Sequence, residues 1–137
     1  MKINTYRELV VWQRAMQLVE DTYKATRDFP REERYGLCSQ LQRSAISIPS
    51  NIAEGHERRS TAEFLRFMAF ALGSIAEVET QVLLAQRLNY LPEAGTARLL
   101  DQADQLGRMM RAMHRTLRAR VQQAPLSAQR SALSPSS

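Results

Sequence analysis

The stretch SIPSNIAEG, Ser47 to Gly55, decides how the chain folds, because it places a proline inside an otherwise continuous helical pattern. Apolar residues around it recur at intervals of three and four, the spacing that lines one face of an α-helix. They are Cys38, Leu41, Ala45, Ile48 and Ile52. Because this pattern keeps its phase through Pro49, the sequence predicts a single helix, the second of the chain, from near Pro30 to Gly55.

Pro49 is predicted to bend that helix. Proline has no amide hydrogen, and its ring crowds the carbonyl four residues earlier, here that of Ala45. We therefore expect a kink, with Ser50, Asn51 or water donating to the freed carbonyl. At the far end, we expect Gly55 to close the helix in the left-handed conformation that glycine tolerates.

Three further segments have helical periodicity. The first runs from about Tyr6 to Arg27, and its predicted core residues are Leu9, Trp12, Met16, Val19 and Tyr23. The third covers Thr61 to about Leu88 and follows Ser60, which forms a capping box with Glu63. Its predicted core residues are Phe64, Met68, Ala71, Ile75, Val78, Val82 and Ala85. The fourth fades near Gln123 and is predicted to bury Leu99, Ala103, Leu106, Met110, Met113 and Leu117.

Four amphipathic helices joined by short turns predict an all-α protein with an up-down-up-down four-helix bundle. We assign residues 1–124 to the bundle and residues 125–137, which contain serine and proline, to a flexible tail. Helix three is also apolar outside its core face, at Leu65, Phe67, Phe70 and Leu72. No partner for these residues remains inside one subunit, so we expect them to contact a second copy in a homo-oligomer.

Positive charge is concentrated near the end of the fourth helix. The chain carries 19 basic and 14 acidic residues, a formal charge of +5, and no acidic residue follows Asp104. Arg108, Arg111, Arg115 and Arg118 share the face opposite the predicted core. Arginines on successive turns suit a phosphate backbone, although a merely solubilising face gives the same pattern. The weaker basic positions Arg43, Arg58 and Arg59 are added to this candidate nucleic-acid-binding set.

Motifs for catalysis, metals and nucleotides are not found. There is no Glu-x-x-His pair, no phosphate-binding glycine loop and no nucleophile elbow, so we expect no enzyme, no metal and no cofactor. His56 and His114 are interpreted as solvated. A hidden active site would need polar pairs such as Glu77 with Glu79, or Glu54 with His56. The single cysteine and the absence of a signal or membrane segment favour a cytoplasmic protein.

The chain resembles the bacterial 23S rRNA-intervening-sequence proteins, which are related to the accessory variability determinants of diversity-generating retroelements. The resemblance is carried by LVVWQRAMQLVEDTYKAT, FPREERYGLCSQLQRSAISIPSNIAEGHERRS and EFLRFMAFALGSIAEVETQVLLAQRLNYL. It implies a homo-oligomeric ring, expected to be a pentamer, with a basic surface. Ile48, Pro49, Asn51, Glu54 and Gly55 match the family motif, with no catalytic role attached to them.

These observations lead to two functional hypotheses. The first is a non-enzymatic, oligomeric adaptor that binds RNA or DNA through its basic surface with little sequence specificity. The second is a protein-interaction scaffold that does not bind nucleic acid. In the retroelement relatives, the ring is a nucleic-acid-binding partner of a reverse transcriptase, so the resemblance also implies a protein partner of this kind. We expect no membrane partner.

Overall fold

The computed structural model describes residues 5–123, which form four α-helices and two short 3-10 turns. The helices are α1 (Val10–Thr26), α2 (Leu37–Glu57), α3 (Thr61–Arg87) and α4 (Glu93–Gln123), and the 3-10 turns are Tyr6–Glu8 and Arg31–Glu33. Since these residues contain no strand, the predicted all-α class is confirmed for the part of the chain described. The predicted tail at 125–137 lies outside it.

Each helix packs antiparallel against its neighbours, in the up-down-up-down order that the sequence predicts. Contacts join α1 with α2, α2 with α3, α3 with α4, and α4 with α1. Gln42, early in α2, donates to the Thr26 hydroxyl at the end of α1 at 3.1 Å. Gln102 of α4 donates to Asp21 of α1 at 2.6 Å, and the Ser47 hydroxyl of α2 donates to that of Ser74 in α3.

The core of α2, α3 and α4 follows the predicted periodicity. In α2, Leu41, Ala45, Ile48 and Ile52 are completely buried, so the helical phase does continue through Pro49. The fully or almost fully buried residues of the other two helices are Met68, Ala71, Ile75, Val78, Val82, Ala85, Leu99, Ala103, Leu106 and Met110. Burial of the larger side chains among them, those of valine, leucine, isoleucine and methionine, stabilises the fold by about 1.5–3 kcal/mol each.

The predicted core of α1 is confirmed only in part: Leu9 is buried and Trp12 and Val19 pack against the core, but the fully buried residues lie on a neighbouring face. Its buried residues include Val11, Ala15, Leu18 and Thr22, whereas Met16 and Tyr23 are 38% and 40% exposed. Thr22 fits in the core because its hydroxyl donates to the Leu18 carbonyl at 2.7 Å and is therefore satisfied. A pattern that counts threonine as polar assigns the buried face to the neighbouring residues instead.

Both ends of α2 differ from the prediction. Arg31–Glu33 form a separate 3-10 turn, so α2 begins at Leu37, and it continues past Gly55 to Glu57. Gly55 does not adopt a positive φ; the left-handed residue is Arg59, with φ 58°. Gly55 is instead a point of close helix contact, because a Cβ built on it would lie 2.6 Å from Cβ of Phe67 in α3.

Helix α3 begins where the sequence places it. The Ser60 hydroxyl accepts from the Glu63 amide at 3.4 Å, the hydrogen bond expected of an N-cap. By length and composition α3 is the one candidate membrane span among the described residues. The core helix of a bundle meets the same criterion, and one side of α3 is buried against α2 and α4.

At the end of the bundle where α1 and α3 end, the turn between α3 and α4 contacts the segment between α1 and α2. The Tyr90 hydroxyl donates to Oε2 of Glu33 at 3.1 Å, and its ring lies 5.6 Å from that of Phe29. The hydrogen bond to Glu33 raises the pKa of Tyr90 above its ordinary value of 10.0. These contacts join the α3–α4 turn to the segment that precedes α2.

Candidate nucleic-acid interface

The four arginines predicted on α4 all point away from the core and are exposed, but their charges are not equivalent. Nε of Arg108 lies 3.0 Å from Oδ2 of Asp104, one turn earlier, so a carboxylate neutralises it. Arg111, Arg115 and Arg118 have no ion pair within residues 5–123. We call these three residues the arginine stripe.

Arg111 is held close to the α4 backbone by a glycine. A Cβ built on Gly107 would lie only 3.1 Å from Nη1 of Arg111, so the guanidinium occupies the space that a side chain would fill. Gly107 is itself buried. The guanidinium therefore lies against the α4 backbone near the start of the arginine stripe.

The topology brings more arginines to the same end of the bundle. We call this the α2–α3 end: there α2 ends, α3 begins, α1 begins and α4 ends. Arg58, the last residue before the α2–α3 turn, stacks on the Phe67 ring at 5.3 Å. Arg66, which the sequence analysis did not select, lies 5.6 Å from the same ring and 5.4 Å from that of Phe70. The available signal was an isolated charge in an apolar helix, because Arg66 is the one charged residue between Phe64 and Ala76.

Carboxylates balance Arg58 and Arg66 but not the arginine stripe. Arg58 pairs with Glu54 at 3.1 Å, and Arg66 pairs with Glu63 at the same distance. Arg59 is exposed in the turn and has no ion pair within the described residues. Of the predicted arginines, Arg59 and the arginine stripe are therefore the ones toward this end whose charge no carboxylate balances.

Arg43 does not join this cluster. It is exposed on α2, but 15 residues before Arg58, which corresponds to about 22 Å along a helix. The structure thus places Arg58 and Arg59 at the α2–α3 end, toward which the arginine stripe runs along α4, and leaves Arg43 on the side of the bundle.

An apolar groove runs between α3 and α4 beside the arginine stripe. We call it the α3–α4 groove; its volume is about 480 Å³. Leu65, Ala69 and Val121 supply much of its apolar surface, and Arg66 and Arg118 stand at its walls. The full lining is Ala62, Leu65, Arg66, Ala69, His114, Arg118, Val121 and Gln122. None of these residues is acidic.

The proline segment lines a second groove, between α1 and α2, with a volume of about 310 Å³. Its lining residues are Tyr6, Trp12, Met16, Val19, Ile46, Pro49, Ser50 and Ala53. Asn51 points elsewhere: its amide donates to the Ser47 carbonyl at 2.8 Å, so its side chain does not take up the carbonyl of Ala45. Ser50 is exposed.

The four residues expected at an oligomer interface occupy different environments. Phe70 is 47% exposed, whereas Phe67 is only 7% exposed and packs within the subunit. Leu65 lines the α3–α4 groove, and Leu72 packs against the core. Sequence reasoning missed other apolar residues exposed on or just after α3, namely Leu83, Leu84 and Leu88, at 44–45%.

The polar pairs considered for a hidden active site do not form a shared centre. Glu54 is paired with Arg58, and Glu77 is exposed. His56 was interpreted as solvated, but its side chain is 14% exposed and its ring meets that of Phe64 edge-on at 6.0 Å. Within residues 5–123, no group of three or more histidine, cysteine or acidic side chains is placed to hold a metal ion.

Comparison with known proteins places this architecture in a family. The chain is similar to the crystal structure of a protein of unknown function from the S23 ribosomal protein family of Bacteroides thetaiotaomicron, with 20% sequence identity and a TM-score of 0.69. The match covers 77% of this chain and 98% of the other, and at this identity it supports the fold alone. No curated protein matches the chain. The family model of the 23S rRNA-intervening sequence proteins matches residues 7–112, so the chain belongs to that family.

Proposed function

We propose that this protein is a non-enzymatic adaptor that binds RNA or DNA through the arginines at its α2–α3 end. The observation that carries the proposal is that Arg111, Arg115 and Arg118, on successive turns of one exposed helix face, have no acidic partner among residues 5–123. Guanidinium groups pair with phosphate oxygens in a two-pronged geometry. Contacts of this kind position a nucleic acid without reading its bases, so binding has little sequence specificity.

Oligomerisation completes the proposal. Each subunit offers only a few phosphate contacts, and several subunits in one assembly multiply weak contacts through effective concentration. Phe70 and Leu84, exposed on α3, favour contact with another copy. The proposed assembly is a ring, with five subunits as the family resemblance implies. We further propose that Pro49 bends α2, which shapes the surface where neighbouring subunits meet.

We also propose a reverse transcriptase as a protein partner, which rests on the resemblance to the retroelement determinants. The alternative function, a protein-interaction scaffold without nucleic-acid binding, is favoured by the apolar groove between α1 and α2. A groove of this kind suits an apolar segment of another protein. The binding experiment below separates the two functions.

The test is a fluorescence-anisotropy titration of labelled single-stranded RNA and DNA with the purified protein. The titration is repeated from roughly 50 to 200 mM salt, the range over which phosphate-dominated binding weakens steeply. The variant Arg111→Ala/Arg115→Ala is expected to bind more weakly and with a shallower salt dependence, because two phosphate contacts per subunit are removed.

The matched control is Arg27→Ala/Arg31→Ala. It removes the same charge from two exposed arginines at the opposite end of the bundle, so it separates a local contact from an effect of net charge. Equal losses of affinity in the two double variants would contradict the assignment of the surface. Absence of binding at the lowest salt, by folded protein, would contradict nucleic-acid binding and favour the scaffold.

A further inference from the structure

We propose that the α3–α4 groove receives an unpaired nucleobase, so that the protein binds single-stranded nucleic acid in preference to a duplex. This inference rests on the proposed function, because it names the form of nucleic acid that the arginine end accepts. It is carried by the chemistry of the groove, by its position beside the arginine stripe and by its size.

The groove combines an apolar surface with a cationic wall. Leu65, Ala69 and Val121 offer surface to the face of a base, and Arg118 stands where a phosphate would be neutralised. Arg66 is held by two contacts: its guanidinium pairs with Glu63 at 3.1 Å and lies over the Phe70 ring. A guanidinium fixed in this way provides a plane on which a base stacks.

Arg118 connects the groove to the arginine stripe. It belongs to the exposed row that begins with Arg111, and it also lines the groove. A phosphate chain following the row therefore passes the mouth of the groove, and the base attached to a phosphate at Arg118 lies next to the apolar surface. One strand then contacts both features without leaving the face of α4.

The dimensions agree with a short run of bases. The lining on α3 extends from Ala62 to Ala69, about 10 Å along a helix. Bases stacked in a strand are spaced by about 3.4 Å, so the groove spans at most about three of them. Its volume of about 480 Å³ is within the range of small-ligand sites. His114 and Gln122 bring hydrogen-bonding side chains to the wall.

A duplex is not able to use the groove without opening. Its bases are stacked and paired inside the helix, whereas single strands expose base faces to apolar and guanidinium surfaces. Both forms present phosphates to the arginine stripe. The difference in affinity between them therefore reports on the groove, and the affinity that they share reports on the stripe.

The experiment compares three labelled DNA ligands of about 12 nucleotides, a length within the range of single-strand binding sites. They are a single strand, the same strand with abasic sites throughout, and a duplex, each titrated by anisotropy. We expect the base-bearing strand to bind about tenfold more tightly than the abasic strand, since one stacked base contributes about this factor or more.

A groove-filling variant gives the second arm. Ala62→Leu/Ala69→Leu adds bulk to two groove residues and is expected to bring the affinity for the base-bearing strand down to that for the abasic strand. Affinity for the abasic strand is expected to stay unchanged. The control, Ala76→Leu/Ala97→Leu, makes the same change at two exposed alanines outside the lining and is expected to keep the preference.

The outcomes distinguish this inference from the proposed function. Equal affinity for base-bearing and abasic strands in the wild-type protein would overturn the inference and leave phosphate binding standing. Retention of the preference in the groove-filling variant, or duplex binding as tight as single-strand binding, would also overturn it. If none of the three ligands binds, the proposed function itself fails.

Discussion

Gly55 allows α2 and α3 to approach closely, because it has only a hydrogen atom where other residues have a Cβ. A Cβ at this position would lie 2.6 Å from Cβ of Phe67 and 3.1 Å from Cδ1 of Phe64. Alanine ordinarily favours a helix over glycine by about 1 kcal/mol, but overpacking at a rigid contact costs about 1–3 kcal/mol. We expect Gly55→Ala to lower the free energy of unfolding by a net amount of up to about 2 kcal/mol in urea denaturation.

Gly73 is the matched control for that change. It is exposed in the middle of α3, and a Cβ built on it would meet nothing within 4 Å. Gly73→Ala is therefore expected to raise the free energy of unfolding by about 0.5–1 kcal/mol, the ordinary helix preference. A Gly55→Ala protein as stable as Gly73→Ala would show that α2 and α3 separate easily at this point.

Individual side chains also explain where the sequence pattern misplaced a face. Thr22 is buried because its hydroxyl bonds the Leu18 carbonyl, a local hydrogen bond that no hydrophobic periodicity registers. The neighbouring Met16 and Tyr23 were predicted to be buried and are partly exposed. Apolar residues therefore lie on two neighbouring faces of α1, one buried and one partly exposed. The spacing of apolar residues alone does not show which of these faces is buried.

At the scale of elements, α2 contains a proline, Pro49, that removes a backbone hydrogen bond and also lines a surface groove. Pro49 lines the groove against α1, and it interrupts the helical hydrogen-bond ladder at Ala45. We expect Pro49→Ala to leave the helix content measured by circular dichroism largely unchanged, because the core stripe of α2 is intact. The oligomer mass measured by light scattering is expected to change, since an amide hydrogen at position 49 would remove the bend that we propose for α2.

Ser50→Ala is the control for this prediction. Ser50 lines the same groove and is exposed, so its truncation alters the surface without restoring an amide hydrogen. A mass that is unchanged in Pro49→Ala, or equally changed in Ser50→Ala, would count against a role for the proline backbone in assembly.

The predictability of the elements depended on how sharply the sequence marks their ends. The start of α3 was found because Ser60 and Glu63 form a cap with a defined spacing. The end of α2 was misplaced because Gly55 was assigned a conformational role. A lone glycine in a helix serves either a left-handed turn or a close contact, and only the position of Phe67 distinguishes them.

At the scale of the whole molecule, the outer face of α3 is the surface through which we expect copies to associate. Phe70 and Leu84 are 47% and 45% exposed and stand two heptads apart on that face. Phe70→Lys/Leu84→Lys is expected to shift the protein to single chains of 15.6 kDa in sedimentation or light scattering. The reason is that burying the lysine charges at a contact between copies costs more free energy than covering the exposed apolar surface of α3 contributes.

Tyr35→Lys provides the comparison for that prediction. Tyr35 is an apolar surface residue, 88% exposed, at the opposite end of the bundle. The same kind of change there is expected to leave the mass unaltered. An oligomer that survives the double substitution on α3 would direct attention to the groove between α1 and α2.

The candidate site was predictable in its parts and not in its arrangement. The α4 arginines followed from periodicity, because their face is opposite to Leu106 and Met110. Arg58 and Arg59 lie at the end of the bundle where α4 ends only because of the topology. Arg66 was missed because its role depends on the rings of neighbouring residues, and side-chain stacking has no signature in spacing.

The antiparallel topology has a practical consequence for any attachment to this protein. Helix α1 begins and helix α4 ends at the same end of the bundle. A fusion domain, an affinity tag or a surface linkage joined before α1 or after α4 is therefore expected to lie near the arginines and to obstruct them. The turn between α3 and α4 is at the far end, and Asn89 there is exposed. Immobilisation through that turn presents the arginine end outward.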